Sequence, residues 1–182
     1  MEAFATKRLW VSPGTDDEIP YTFNFRSTEA LDQFFGSLTQ EQLDTLRSDI
    51  PAVRDLIGRM SAFSEAVDRM VFIARDFDGT VVGYIGINYS HSQAPELQIQ
   101  IAKEYQRQGY GTELLGGFLY HWRYLIGFEY FVYHVRSQNI VSIRLVEKMN
   151  GILQPPKNKA EEILLRTYYI EKRGGKRLCV RS

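Results

Sequence analysis

The chain has 182 residues, of which 44% are apolar and 24% charged, and its 22 Lys and Arg balance its 22 Asp and Glu. That length suits one α/β-sized domain, expected to span residues 1–182, and a net charge of zero argues against a nucleic-acid binder that works through a broad basic surface. The lone cysteine, Cys179, excludes an intrachain disulfide; with no basic-then-apolar leader after Met1 and no apolar run near the ~20 residues of a membrane span, the expected setting is the cytoplasm, away from the membrane.

No internal repeat, low-complexity segment or interdomain linker stands out. Lys7 to Val11 predicts a short first strand, ended by a turn at Ser12-Pro13-Gly14. Thr28 to Met70 reads as helical. Within it, Thr39-Gln40-Glu41-Gln42 has the capping-box pattern, in which each end side chain covers an orphan backbone N–H. Pro51 suits a helix start, where its missing N–H has no partner to lose. Val53, Leu56, Ile57, Met60, Phe63, Val67 and Met70 then share one helical face.

The period changes after that. Val71 to Arg75 and Val81 to Asn88 flank Asp78-Gly79, which predicts a hairpin. Glu96 to Ile101 alternates strictly, with Glu96, Gln98 and Gln100 on one side and Leu97, Ile99 and Ile101 on the other. Beyond a loop from Ala102 to Tyr110, Leu114, Leu115, Phe118, Leu119, Trp122, Leu125 and Ile126 form a helical stripe that Gly127 is placed to end. Phe128 to Val135 reads as a strand, and Asn139 to Met149 as a helix stopped by Asn150-Gly151. Ile163 to Glu171 reads as a further strand, with Gly174-Gly175 turning into a last one around Leu178 to Val180. Short strands meeting helices on a mixed sheet give an α/β (α+β) fold class.

The loop Gln106-Arg107-Gln108-Gly109-Tyr110-Gly111 carries the chemistry. Glycines admit positive φ and close backbone approach. Successive N–H groups then line a concavity, and the following helix dipole favours negative charge there. Arg107 adds a positive charge. The lysine-bearing phosphate loop of nucleoside triphosphatases is missing, and Leu114 stands where a dinucleotide fingerprint needs its third glycine. No metal site is expected. A Gly-x-Gly turn also serves simply as a joint, and Asn139 as a helix N-cap, so the loop alone leaves the ligand open.

The spacing Gln-x-x-Gly-x-Gly resembles that of the Gcn5-related N-acetyltransferase (GNAT) superfamily. The likeness runs through the strand Glu96 to Ile101, the approach Glu104-Tyr105, and the helix Asn139-Ile140-Val141-Ser142, with its Glu147-Lys148 tail, over roughly Val71 to Leu153. The Asn-x-x-Ser form is most similar to the subgroup that acetylates ribosomal-protein N-termini. The resemblance implies a mixed, mostly antiparallel sheet flanked by helices, with splayed central strands, and acetyl-CoA as co-substrate. Its pyrophosphate is expected on the loop from Gln106 to Thr112, through the N–H groups of Gln108, Gly109, Tyr110, Gly111 and Thr112. Its pantetheine arm is expected along the backbone of Ile99, Gln100 and Ile101, with Asn139 and Ser142 beside the sulfur.

The resemblance also assigns chemistry. A carboxylate is a reasonable base for the acceptor amine, and Glu96 is the first candidate, with His134 the second; His91 and His121 have weaker cases. Many relatives place a proton-donating tyrosine where this chain has Val146, so Ser142 is the alternative donor or hydrogen-bond partner for the leaving thiolate. The expected activity is transfer of acetyl to an amine, of a small molecule or a protein N-terminus, by direct attack in a ternary complex, from a monomer or homodimer. The stretch Thr28 to Met70 has no acidic run to favour a polyamine. The alternative is a non-catalytic acyl-CoA-binding sensor or interaction module. The basic tail Lys172 to Arg181 reads as a solvated hairpin.

Overall fold

The computed structural model describes residues 2–19, 36–54, 56, 69–88, 93–122 and 128–171. The expected turn at Gly174-Gly175, the last strand, the basic tail, Cys179, His91, Gly127 and much of Thr28 to Met70 lie outside the described residues.

One eight-stranded sheet has the order β1-β2-β3-β4-β5-β6-β8-β7. Its strands are β1 (Phe4–Ala5), β2 (Trp10–Gly14), β3 (Arg69–Arg75), β4 (Val81–Asn88), β5 (Glu96–Ile101), β6 (Tyr130–Arg136), β7 (Ile152–Leu153) and β8 (Leu165–Glu171). Every neighbouring pair is antiparallel except β5 with β6. The helices are α1 (Gln40–Ser48), α2 (Tyr110–Trp122), α3 (Ile140–Lys148) and α4 (Lys159–Leu164), with a further helical stretch at residues 50–54.

Local chemistry explains most boundaries. The capping box forms at α1: Gln42 N donates to Thr39 Oγ1 at 3.2 Å, and Thr39 N to Gln42 Oε1 at 2.9 Å. Pro51 sits at the start of the next helical stretch, where Ala52 N donates to Asp49 Oδ1 at 3.2 Å. In the β3–β4 hairpin, Asp76 Oδ1 accepts from Asp78 N at 3.1 Å and Thr80 N at 2.9 Å. Asn139 caps α3 by accepting from Ser142 N at 3.1 Å.

Three expectations need correction. The Ser12-Pro13-Gly14 segment is strand, registered with Ile73, Phe72 and Val71. Among the described residues β1 pairs with β2 only at Trp10 and Val11, so Pro13 lies beyond the paired part of that edge, where a proline is tolerated. Met70 belongs to β3 and not to the preceding helix. Ile163 and Leu164 close α4 before β8 begins, because Asn158 caps that helix through Glu161 N at 2.8 Å.

Strand alternation divides the sheet into two unlike faces. One face carries Leu97, Phe131, Tyr133, Val135, Tyr168 and Ile170, which pack with α2 and with Ile143, Val146 and Met149 of the α3 segment in the main core. Phe118 is fully buried there, its ring 5.5 Å from that of Phe72, 5.4 Å from Trp122 and 5.9 Å from Phe131. The opposite face carries Glu96, Gln98, Gln100, His134 and Thr167. Leu165 joins a second cluster with α1 and α4 on that face.

Candidate active site

The two central strands touch at one point. β5 is paired with β4 along its whole length, from Asn88 opposite Glu96 to Gly83 opposite Ile101. β6 is paired with β8 from Tyr130 to Arg136. Between β5 and β6 the register pairing is confined to Glu96 opposite Val132, with Val132 N donating to Pro95 O at 2.9 Å. The facing backbone edges beyond it form a slot that closes at Glu96 and opens toward Ile101.

The glycine-rich loop stands at the open end. A Cβ on Gly111 would lie 3.6 Å from both Ile101 Cγ1 and Leu145 Cδ2, so the start of α2 is seated between the end of β5 and α3. The loop turns through positive φ at Arg107 (60°) and Gly109 (86°), and at Gly109 only glycine adopts this without strain. Two side chains in the motif are engaged by the protein: Gln106 Nε2 donates to Ile101 O at 2.9 Å, and Gln108 Nε2 to Glu104 O at 2.6 Å. Arg107 is exposed, with no hydrogen bond or ion pair among the described residues. The first amides of α2 have no intrahelical acceptor, so bare backbone and the positive end of a helix dipole stand directly after the loop that carries Arg107.

Glu96 and His134 meet at the closed end, on the face opposite α2 and α3. Glu96 Oε1 lies 3.5 Å from His134 Nε2, and both side chains are about one-quarter exposed. His134 Nδ1 lies 3.0 Å from Thr167 Oγ1, which fixes the ring. Gln98, on the same strand face, has a buried Oε1 with no hydrogen-bond partner among the described residues. His121 stacks on Phe4 at 4.4 Å, away from this pair.

Ser142 approaches from the other face. Its hydroxyl hydrogen-bonds with the phenol of Tyr133 on β6. Burial pushes the Tyr133 pKa up to about 12, and the Ser142 bond offsets only part of that rise. Val146 is wholly buried in the core. Asn139, exposed at the head of the same helix, has its Oδ1 committed to the cap. The side chains of Ile99 and Ile101 pack against the core and that of Gln100 pairs with Tyr84 OH at 3.2 Å, leaving their backbone as the part that can face a ligand.

Sequence reasoning missed Tyr133 and a cluster behind the loop. Thr6 Oγ1 donates to Glu113 Oε1 at 2.6 Å, Arg8 N donates to the same oxygen at 2.7 Å, and Arg8 Nε donates to Glu113 Oε2 at 2.7 Å. Burial raises the Glu113 pKa, but these hydrogen bonds outweigh it and hold the carboxyl below its ordinary 4.5. The cluster therefore stabilises the fold above the unfolded-state value, and its contribution is lost as pH falls through the lower folded-state pKa. Below pH 4.5 the midpoint urea concentration is expected to fall more steeply in the wild type than in Glu113→Gln; parallel acid limbs would refute the assignment.

A long anionic carrier fits this arrangement. Five steps along β5 from Glu96 to Ile101 span roughly 17 Å, so a ligand with its anionic end on the loop must be extended to reach Glu96. The unpaired edge of β5 offers such a ligand the hydrogen bonding of an added strand. Coenzyme A, with a pyrophosphate at one end and an amide-bearing arm ending in a thiol, meets both demands. These features suit a transferase that takes its group from an acyl carrier.

The chain belongs to the GNAT acetyltransferase family: the profile described as "Acetyltransferase (GNAT) domain" matches residues 8–151. It is therefore an acetyltransferase, with acetyl-CoA as co-substrate. A sequence comparison with curated proteins found no match. Solved structures share the fold. A spermidine N-acetyltransferase from Vibrio cholerae, in complex with CoA and spermine, is 18% identical over 91% of this chain and 96% of that chain, with a TM-score of 0.59. An acetyltransferase from Agrobacterium tumefaciens strain C58 is 20% identical over 93% and 94%, at 0.58. A candidate ribosomal-protein-serine acetyltransferase from Vibrio cholerae is 22% identical over 93% and 97%, at 0.53. Among the described residues no helix is long and apolar enough to cross a membrane.

Proposed function

We propose that this protein transfers acetyl from acetyl-CoA to the nitrogen of a primary amine within a ternary complex, with Glu96 as general base and Ser142 as the hydrogen-bond donor to the departing sulfur. The observation that carries the reading is the slot itself. A carboxylate–imidazole pair sits at its closed end on one sheet face, and a phosphate cradle with a serine-bearing helix serves it from the other.

Acetyl-CoA supplies the activated acetyl thioester. The chain's residues do the rest. The amides of Gln108 to Thr112 and the Arg107 guanidinium hold phosphate, and the β5 backbone aligns the carrier arm. Glu96 accepts the proton that the amine sheds as the C–N bond forms, directly or through one water, with His134 holding the carboxylate and Thr167 holding His134. Ser142 stabilises the thiolate as the C–S bond breaks. Tyr133, with a pKa near 12, keeps its own proton at neutral pH and orients the serine hydroxyl.

The acceptor is a monoamine, either a protein N-terminus or a small molecule. Among the described residues around Glu96, neither Asn88 and Val132, registered with it, nor His134 beside it adds a second carboxylate to draw a polycation. The buried Gln98 oxygen would accept an N–H from such a ligand. Two solved neighbours, a spermidine N-acetyltransferase and a candidate ribosomal-protein-serine acetyltransferase, define the test panel. Release of free thiol from acetyl-CoA is expected with α-amino peptides or monoamines, and less efficiently with spermidine. CoA binding with no thiol release for any amine would replace this reading with the acyl-CoA sensor.

A further inference from the structure

The Arg8 side chain lies across the back of the loop that the proposed function assigns to phosphate. Its Cζ stands 3.8 Å above the Tyr110 ring, and Nη1 donates to Gln108 O at 3.2 Å. Nε and the backbone N bind Glu113 in the first turn of α2. A Cβ on Gly109 would be only 3.5 Å from Nη2. One guanidinium therefore contacts Gln108 and Tyr110, on either side of Gly109, together with the helix start. Its delivery depends on Gly117: a Cβ there would come within 2.7 Å of Thr6 Cγ2 and 3.3 Å of Phe4 Cε2, so only glycine lets residues 4–6 lie this close to α2.

The charge arithmetic decides what Arg8 contributes. Glu113 favours the helix dipole, yet its negative charge stands in the turn that must receive a phosphate. Arg8 cancels it at 2.7 Å, with Glu113 side-chain exposure down to 16%. That neutralisation leaves Arg107 and the backbone amides to attract the ligand. We propose that Arg8 is a positioning residue for the cofactor loop, which fixes the Gln108–Tyr110 backbone and screens Glu113 from the bound phosphate, without itself ligating phosphate. The inference rests on the reading of this loop as the phosphate cradle.

Calorimetry with CoA and with 3′-dephospho-CoA tests both. Arg8→Met is expected to weaken binding of the two probes in parallel, by about tenfold each. Adding Glu113→Gln in that background should recover part of the loss, because the unscreened charge is gone. Glu113→Gln alone should lose less CoA affinity than Arg8→Met, because the amide oxygen still accepts from Arg8 while the negative charge is gone. Arg8→Lys keeps the charge without the fork, and should fall between wild type and Arg8→Met. Amide exchange of β3 and β4, matched to wild type, identifies folded variants; if Arg8→Met does not fold, Glu113→Gln and Arg8→Lys carry the test. Unchanged CoA affinity in Arg8→Met or Arg8→Lys, loss confined to CoA and absent for its dephospho form, or no recovery on adding Glu113→Gln would each overturn the proposal. Wild-type protein that binds neither probe would instead sink the cradle reading beneath it.

Discussion

Glu96→Gln is expected to lower kcat by about 10²- to 10⁴-fold, the usual contribution of a positioned general base, with CoA affinity unchanged. The glutamine preserves the strand and its volume but cannot take the amine's proton. Glu96 sits at the single β5–β6 register pair, so its carboxylate lies where the slot ends. Its separation from the loop predicts the unchanged CoA binding, which makes kcat the readout. His134→Gln should fall less far, because it removes the group beside Glu96 and leaves the proposed base in place. A Glu96→Gln enzyme with wild-type kcat at every pH would remove Glu96 as the base. A matching loss of CoA affinity would show that the substitution had disturbed the slot.

Phe118→Ala is expected to destabilise the protein by about 3–5 kcal/mol, the range for deleting a buried aromatic ring from a close-packed core. The Phe118 ring lies against Phe72 of β3, Trp122 of its own helix and Phe131 of β6, so it joins both sides of the β5–β6 slot from beneath. Urea unfolding with an unchanged m-value checks the loss. Val141→Ala, at a side chain 63% exposed, should shift stability by no more than about 0.5 kcal/mol. A Phe118→Ala loss below about 1 kcal/mol would mean that the core closes over the gap, which the packing of three aromatic neighbours argues against.

Features set by neighbouring residues were legible in the sequence. Strict alternation located β5 to the residue, because one of its faces is polar over its whole length. Asp78-Gly79 and the Thr39 box act within a few residues and formed as expected, and Asn139 makes the cap that was the alternative to a ligand contact. Two of the errors have separate causes. Pro13 and Gly14 have turn-forming chemistry, and Ile163-Leu164 strand-forming chemistry, but sheet pairing decided the first and the Asn158 cap the second. In the candidate site, the loop and the strand that carries Glu96 were legible as a motif in a recognisable order, and their roles are those proposed above. The Arg8–Glu113 pair spans 105 residues and the Tyr133–Ser142 bond joins a strand to the next helix, so no local pattern announces either.

The lone register pair between β5 and β6 also makes a mechanical seam. On one side lies the block β1 to β5, and on the other the block β6, β8 and β7, each laced internally by antiparallel ladders. Opening the seam sacrifices hardly any sheet pairing; what holds the second block, with α3 and α4, to the first is the core shared under α2 and the cluster that α4 forms with α1. Any extended ligand that bonds along β5 would raise the free energy of that opening. Proteolysis should then begin at the seam and slow as CoA is added, which would make the lifetime of the folded chain a function of its co-substrate supply.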